Sequence, residues 1–227
     1  MNPAPRPSKA RPAAKASKGV VQRRAPERTK AEILDAATAE FSAKGLAGGR
    51  VDEIAARTRT TKRMIYYYFG GKQQLYAAVL ERMYGAMRDA EQALQLDTLP
   101  PLEALRRMVE VTFDHHAANP EFVRLVSTEN INEARIVAAS PVIKARNAAV
   151  IGTLGALIAR GEAAGDFRPG LDPLDLHLLI TGFCFHRVSN RHTLTAIFGR
   201  DLRTRAVATT HRQMITEAVL RYVRPGS

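Results

Sequence analysis

A single cysteine, Cys184, stands in 227 residues. One thiol forms no disulfide within its chain, so covalent stapling plays no part in the fold and a reducing compartment fits. Flanked by Phe183 and Phe185, it reads as a small buried apolar residue. No unbroken apolar run approaches 18 residues, which argues against a membrane-spanning helix. The N-terminus lacks the apolar core of a secretory signal, so a cytoplasmic protein is expected. No segment alternates apolar and polar residues convincingly, which leaves little room for a sheet. The chemistry-bearing motifs are missing too: no glycine-rich phosphate loop, no G-x-S-x-G elbow, no H-E-x-x-H and no C-x2-C. His115-His116 with His186 or Cys184 lack the tight spacing of a metal site. Cys184 and His186, at i and i+2 on one helix, point to different faces and make a poor nucleophile–base pair. No metal, cofactor or catalytic residue is expected.

What the chain has in excess is positive charge, and it is unevenly spread. Residues 1–30 hold nine Lys or Arg against one acid, Glu27, and account for +8 of the net +12. Such a stretch, rich in Ala and Pro, buries too little apolar surface to fold alone. Residues 1–27 are therefore expected to form a disordered basic tail. Two readings stand for it: an arm adding contacts to a polyanion, or a solvated extension.

The rest reads as helix. A first helix over about residues 29–44 places Ile33, Ala36, Ala37 and Phe41 on one stripe, with Gly45 as its stop. The segment RVDEIAARTRTTKRMIYYYFGGKQQLY follows, from Arg50 to Tyr76. Val51, Ile54 and Ala55 recur at i, i+3 and i+4, so residues 51–57 form a short helix. Thr58-Arg59-Thr60 interrupts it. Thr61 suits an N-cap, because its hydroxyl can accept from a free amide of the next helix. That helix, residues 62–69, turns Ile65 and Phe69 inward and leaves Lys62, Arg63, Tyr66 and Tyr67 outside. Gly70-Gly71 ends it and Lys72 opens a longer helix. Two short helices joined by a tight turn, the second basic and aromatic, form a helix-turn-helix pattern. Lys62 and Arg63 at its N-terminus can donate to guanine O6 and N7, and Met64 can touch a thymine methyl. Tyrosine hydroxyls and the Lys72 ammonium suit phosphate oxygens. A helical hairpin with a merely solvated basic face is the plainer alternative.

The segment strongly resembles the DNA-binding domain of the TetR (tetracycline-repressor-like) family over about residues 29–81. An Ile-Ala pair, a capping Thr, Tyr-x-x-Phe and then Lys and Leu at fixed offsets carry the resemblance. It implies that Arg50, Thr61, Lys62, Arg63, Met64, Tyr66, Tyr67, Tyr68 and Lys72 face DNA, with Ile54, Ile65 and Phe69 in the core. Arg59 departs from the pattern, standing where the turn usually has glycine; a non-glycine residue at positive φ costs about 1 kcal/mol. Gly49 stands where a Thr commonly caps the second helix.

Further helices are expected from residue 72 to about 94, from Pro101, after Asn119-Pro120, for some 20 residues after Pro141, and over about 173–192 and 201–222. The first of the last two is apolar on nearly every side, which predicts burial all round. The last carries a stripe of Val207, His211, Met214, Ile215, Ala218 and Tyr222. The fold class is thus all-α: a three-helix head over residues 28–72, then a larger bundle over 73–227. The resemblance implies that the last two helices pair across a two-fold axis into a homodimer, whose heads read a pseudo-palindromic operator. The same pattern also suits the core of a monomeric bundle. The resemblance further implies a small organic effector bound in the bundle. Polar groups on apolar helices are the candidates to hold it, namely Thr112, His116, Glu129, Asn132 and His186, with Phe113, Phe122 and Phe183 as walls. The expected protein is a ligand-responsive transcription regulator, most simply a repressor. A DNA-binding protein with no effector, either a constitutive regulator or of nucleoid type, is the alternative.

Overall fold

The computed structural model describes residue 1 and residues 18–226. Among the described residues every regular element is helical. The expectation of a disordered tail lies outside the described residues for positions 2–17. Beyond them α1 (Lys18–Gly48) begins earlier than the sequence suggests. Ile33, Ala37 and Phe41 are fully buried, as their spacing predicts. Gly45 breaks the helical path at φ 66, ψ −179, a conformation open almost only to glycine.

α2 (Val51–Arg57) buries Val51, Ile54 and Ala55. Its N-cap is Arg50, not Gly49. Gly49 lies one residue earlier, packed so closely under Phe41 that a Cβ there would stand 2.5 Å from the ring. The usual Thr would not fit. The turn into α3 (Lys62–Phe69) holds Arg59 at φ 51, in the left-handed region that favours glycine. Thr61 caps α3, its hydroxyl accepting from the Met64 amide at 3.2 Å. Ile65 is fully buried.

α4 (Lys72–Gln92) runs from the head into the body. Arg82 clasps it to α1 through Asp35 at 2.7 Å and the Thr38 hydroxyl at 2.8 Å. The body comprises α5 (Pro101–Ala118), α6 (Pro120–Ile131), α7 (Arg135–Ala139), α8 (Pro141–Ala163), α9 (Pro173–Ser189), α10 (Arg191–Phe198) and α11 (Arg205–Val223). Two cores result. The head's core gathers α1 to α4 and extends to Leu125 of α6 and Ile143 of α8. The body's core joins α5, α8, α9 and α11.

Four expectations need correcting. The helix expected over residues 173–192 ends at Ser189, and the separate α10 follows. α7 and a 3-10 turn at Leu96–Thr98 were not foreseen, being too short to show a period. α9 is not buried all round in the single chain: Leu176, Ile180 and Cys184 face the core, while Leu174, Leu178 and Leu179 are exposed. The stripe on α11 divides between two faces. Ile215, Val219 and Val223 are buried, whereas Met214, Ala218 and Tyr222, each one position earlier and so about 100° round the helix, are exposed. α8 is, by length and composition, apolar enough to cross a bilayer. Its Val, Ile, Leu and Ala residues carry the apolarity, and Lys144, Arg146, Asn147 and Arg160 interrupt them, which is why no unbroken run of about 18 marks it. Val150, Leu154, Leu157 and Ile158 seat it in the body's core.

Candidate functional site

Glu40 organises the head from beneath. Its side chain is fully buried, and it accepts from Lys44 at 2.8 Å and from the Arg50 amide at 3.1 Å. Arg57, from the far end of α2, lies 3.1 Å from its other oxygen. One carboxylate thus ties α1 to both ends of α2. Burial alone would raise its pKa. The Lys44 and Arg50 hydrogen bonds and the charges of Lys44 and Arg57 outweigh it, and the carboxyl is held below its ordinary value.

On this platform α3 presents a polar outer face. Arg50, Thr61, Lys62, Arg63, Met64, Tyr66 and Tyr67 are all exposed, Tyr67 most of all at 78%. Lys62 is not idle: its ammonium lies 3.4 Å from Asp52 and 6.0 Å from the centre of the Tyr66 ring. Two of the expected DNA-facing residues are partly turned inward. Tyr68 packs against the head's core, edge-on to Tyr67 at 5.5 Å and under Lys30 at 5.9 Å. Lys72 donates to the Ala47 carbonyl at 3.0 Å, closing the end of α1. Phe69 is half-buried against the same core.

The eight effector candidates do not converge. Thr112, Phe113, His116, Phe122 and Glu129 are buried. Asn132 is on the surface, its amide donating to the Thr128 carbonyl at 2.7 Å. Glu129 already has work: it accepts from the Ile136 and Val137 amides at 3.2 and 3.3 Å, capping the unforeseen α7. Burial and this carboxylate together push the Tyr76 hydroxyl up. His186 is exposed and, with half-buried Phe183, lines a separate groove of about 280 Å³ between α9, α10 and α11. Only Thr112, His116 and Phe122 form one interior group with Phe113 close by in α5. His116 Nδ1 sits 2.8 Å from the Thr112 carbonyl, and Phe122 meets the His116 ring at 5.9 Å and the Tyr84 ring at 5.2 Å.

The groups that sequence reading missed lie beside it. Arg88 and Glu91 are buried on α4 and ion-paired at 2.9 Å. The Arg88 Nε has no hydrogen-bond partner. Burial drives the Glu91 carboxyl up to about 7, against the pull of Arg88. Three imidazoles share this interior. His115 and His177 are pushed down to about 4, first by burial, then by one another's cluster and Arg88. His116 is lowered by burial and by Arg88, although its backbone bond to Thr112 opposes the shift. Near neutral pH all three are uncharged. A cavity of about 140 Å³ opens here, lined by Arg88, Glu91, Leu96, Met108, Val150 and, at its edge, Arg146. The helical period offered a signal: Leu80, Tyr84, Arg88 and Glu91 follow one another at i+4, i+4 and i+3 on one face.

Set beside known proteins, both halves of the chain have counterparts. Residues 33–79 match the bacterial regulatory proteins of the tetR family, and residues 101–219 match the tetracyclin repressor-like C-terminal domain. The chain is 35% identical over 198 residues to the HTH-type transcriptional repressor NicS of Pseudomonas putida, covering 87% of this chain and 93% of that protein. It is 41% identical over 108 residues to the HTH-type transcriptional repressor SCO4008 of Streptomyces coelicolor, covering 48% of this chain and 53% of the other. Its fold is similar to the crystal structure of the putative transcriptional regulator SCO4942 from Streptomyces coelicolor, with a TM-score of 0.68, 31% identity and coverage of 87% and 99%. A capped helix-turn-helix on a helical body, matched in both parts, makes this chain a member of the tetR family of bacterial regulatory proteins.

Proposed function

We propose that the chain is a cytoplasmic, homodimeric transcription repressor that a small organic molecule releases from a pseudo-palindromic DNA operator. The outer face of α3 carries this reading. Lys62 and Arg63 stand in its first turn with Met64, Tyr66 and Tyr67 beside them, all exposed, on a helix whose inner face is fixed by Ile65 and the Thr61 cap. A side chain that serves only its own domain does not need 78% exposure for a tyrosine ring. Lys62 and Arg63 read base edges; Arg50, Thr61, Tyr66 and Tyr67 hold phosphates, with Tyr68 and Lys72 in support.

Dimerisation supplies the second head, and two heads about 34–36 Å apart read two half-sites. Leu174, Leu178, Met214 and Tyr222, exposed on α9 and α11, form the apolar face that a second copy covers. The reading head extends to residue 72, and the body from 73 onward holds the effector. α4 belongs to both, so a ligand that prefers one of its positions changes DNA affinity by that preference. Repression is favoured because two relatives, at 35% and 41% identity, are named repressors.

Selection of bound sequences from random duplex DNA, with the full chain at near-physiological salt, tests this. Recovery of one pseudo-palindrome is the expected result. Binding without any motif that collapses as salt rises would replace the repressor with a nucleoid-type protein.

A further inference from the structure

The interior of the body holds a cation with too few partners. Arg88 is 91% buried, and a guanidinium carries five donors. Its one polar neighbour is Glu91, 2.9 Å from Nη1, while Nε has none. A buried donor left unmade is costly, and a charged one more so. Among the described residues no second carboxylate is ion-paired with Arg88, and Asp97, which also lines the cavity, is exposed at its mouth. His115 and His177 are neutral above about pH 4 and so hold no negative charge. Asp89 is engaged outside, 3.2 Å from Arg146. The inner walls of the cavity beside Arg88 are the buried Leu96, Met108 and Val150, and its mouth is polar, with Gln92, Asp97, Arg146 and Thr153 exposed there. A fork of donors beside buried apolar walls is the complement of an acid with a compact apolar body, whose far end can meet the polar mouth.

From this geometry we infer that the cavity between α4, α5 and α8 binds a small organic carboxylate, which takes the Arg88 guanidinium away from Glu91. The assignment rests on the effector-gated reading above and names the chemical class of that effector. Size narrows it further. A cavity of roughly 150 Å³ is filled by one benzene ring, and this one measures about 140 Å³. The part of the ligand enclosed beside Arg88 is therefore a single ring or a short chain. Charge balance is kept inside the site: as the incoming carboxylate pairs with Arg88, Glu91 loses its counter-ion and takes up a proton, which a carboxyl titrating near 7 does readily. Arg88 and Glu91 both stand on α4, so exchanging one carboxylate for another acts directly on the helix that carries the head.

Melting of the full chain without DNA, followed by circular dichroism, tests the assignment. The probes are benzoate and hexanoate, each set against its neutral amide. The acids are expected to raise the melting temperature and the amides to leave it unchanged. Arg88→Gln should weaken benzoate by about thirtyfold or more. Glu91→Gln, which removes the competing carboxylate, should tighten it by about tenfold, a gain that a misfolded variant cannot give. The assignment is overturned if neither acid outdoes its amide, if the preference survives Arg88→Gln, or if Glu91→Gln brings no gain. The effector reading is judged separately, by the effect of the same probes on binding to the selected operator. Acids that bind yet leave DNA affinity unchanged would retain the anion site and refute gating through it. A neutral compound that releases DNA while acids fail to bind would do the reverse.

Discussion

Two buried carboxylates, one in each half of the molecule, titrate in opposite directions. Glu40 and Glu91 are both shielded from solvent, at 1% and 7% exposed, but Glu91 lies much deeper in the protein, and burial dominates its shift. Donors separate them further. Glu40 collects an ammonium, a guanidinium and a backbone amide, and its pKa falls. Glu91 has Arg88 alone, and its pKa rises to about 7. A buried charge held from several elements is a structural joint, even with one oxygen, Glu40 Oε2, short of a hydrogen bond. One held by a single partner marks a candidate site. The head is built of the first kind and shows its function on its surface; the body keeps the second kind inside.

The sharpest way to break this contrast is to delete each carboxylate. Glu40→Ala frees Lys44 and Arg57, both able to turn to water, but leaves the Arg50 amide without its acceptor, and should destabilise the protein by about 2 kcal/mol in chemical denaturation. A loss below half of that would demote Glu40 from joint to ornament. Second in size come Lys62 and Arg63, proposed above to read bases. Lys62→Ala or Arg63→Ala should relax sequence preference by roughly 1–3 kcal/mol, while Lys72→Ala weakens all DNA alike and lowers the salt slope. Quantitative binding to operator and scrambled duplexes decides; unchanged preference in both Lys62→Ala and Arg63→Ala would remove them from the readout. Thr61→Ala removes a cap and should cost about 1 kcal/mol, seen as a lower denaturation midpoint.

The last prediction concerns pH and uses both signs. Glu40 has a depressed pKa, so its stabilisation is complete above its ordinary value of 4.5 and is lost as pH falls through the lower folded value. Glu91 has a raised pKa. The folded state binds its proton more tightly, so stability falls as pH rises from 4.5 to about 7. His115 and His177, lowered from 6.5 to about 4, slope the other way over nearly the same window and mask the effect in the wild type. The stability of Glu91→Gln relative to wild type isolates it. That difference should grow in favour of the variant between pH 4.5 and 7, and a flat difference would mean that Glu91 is not strained by its burial.

The head was legible because its determinants are local. Val51, Ile54 and Ala55 declare one face of α2, Thr61 caps from three residues away, and Gly45 stops α1 by its own backbone freedom. Even the departure at Arg59 was readable, since the turn demands a positive φ whichever residue fills it. The body was less so. Polarity on an apolar helix does not say which way the side chain faces, and so Asn132 and His186, both exposed, were grouped with buried Thr112 and His116. Glu129 was taken for a ligand group because the five-residue helix it caps was invisible. Arg88 and Glu91 escaped notice for the opposite reason: charged residues are ordinarily assumed to face water, although Leu80 and Tyr84 on the same stripe point inward.

The chain has no tryptophan, and of its six tyrosines all but Tyr222 lie on α3 or α4. Its ultraviolet emission is therefore concentrated where the molecule does its work. Tyr66 and Tyr67 stand on the outer face of the head, and Tyr84 is one helical turn from Arg88. Operator and effector would each disturb a different part of one native signal. The protein comes with its own optical probe, and both events can be timed without a label.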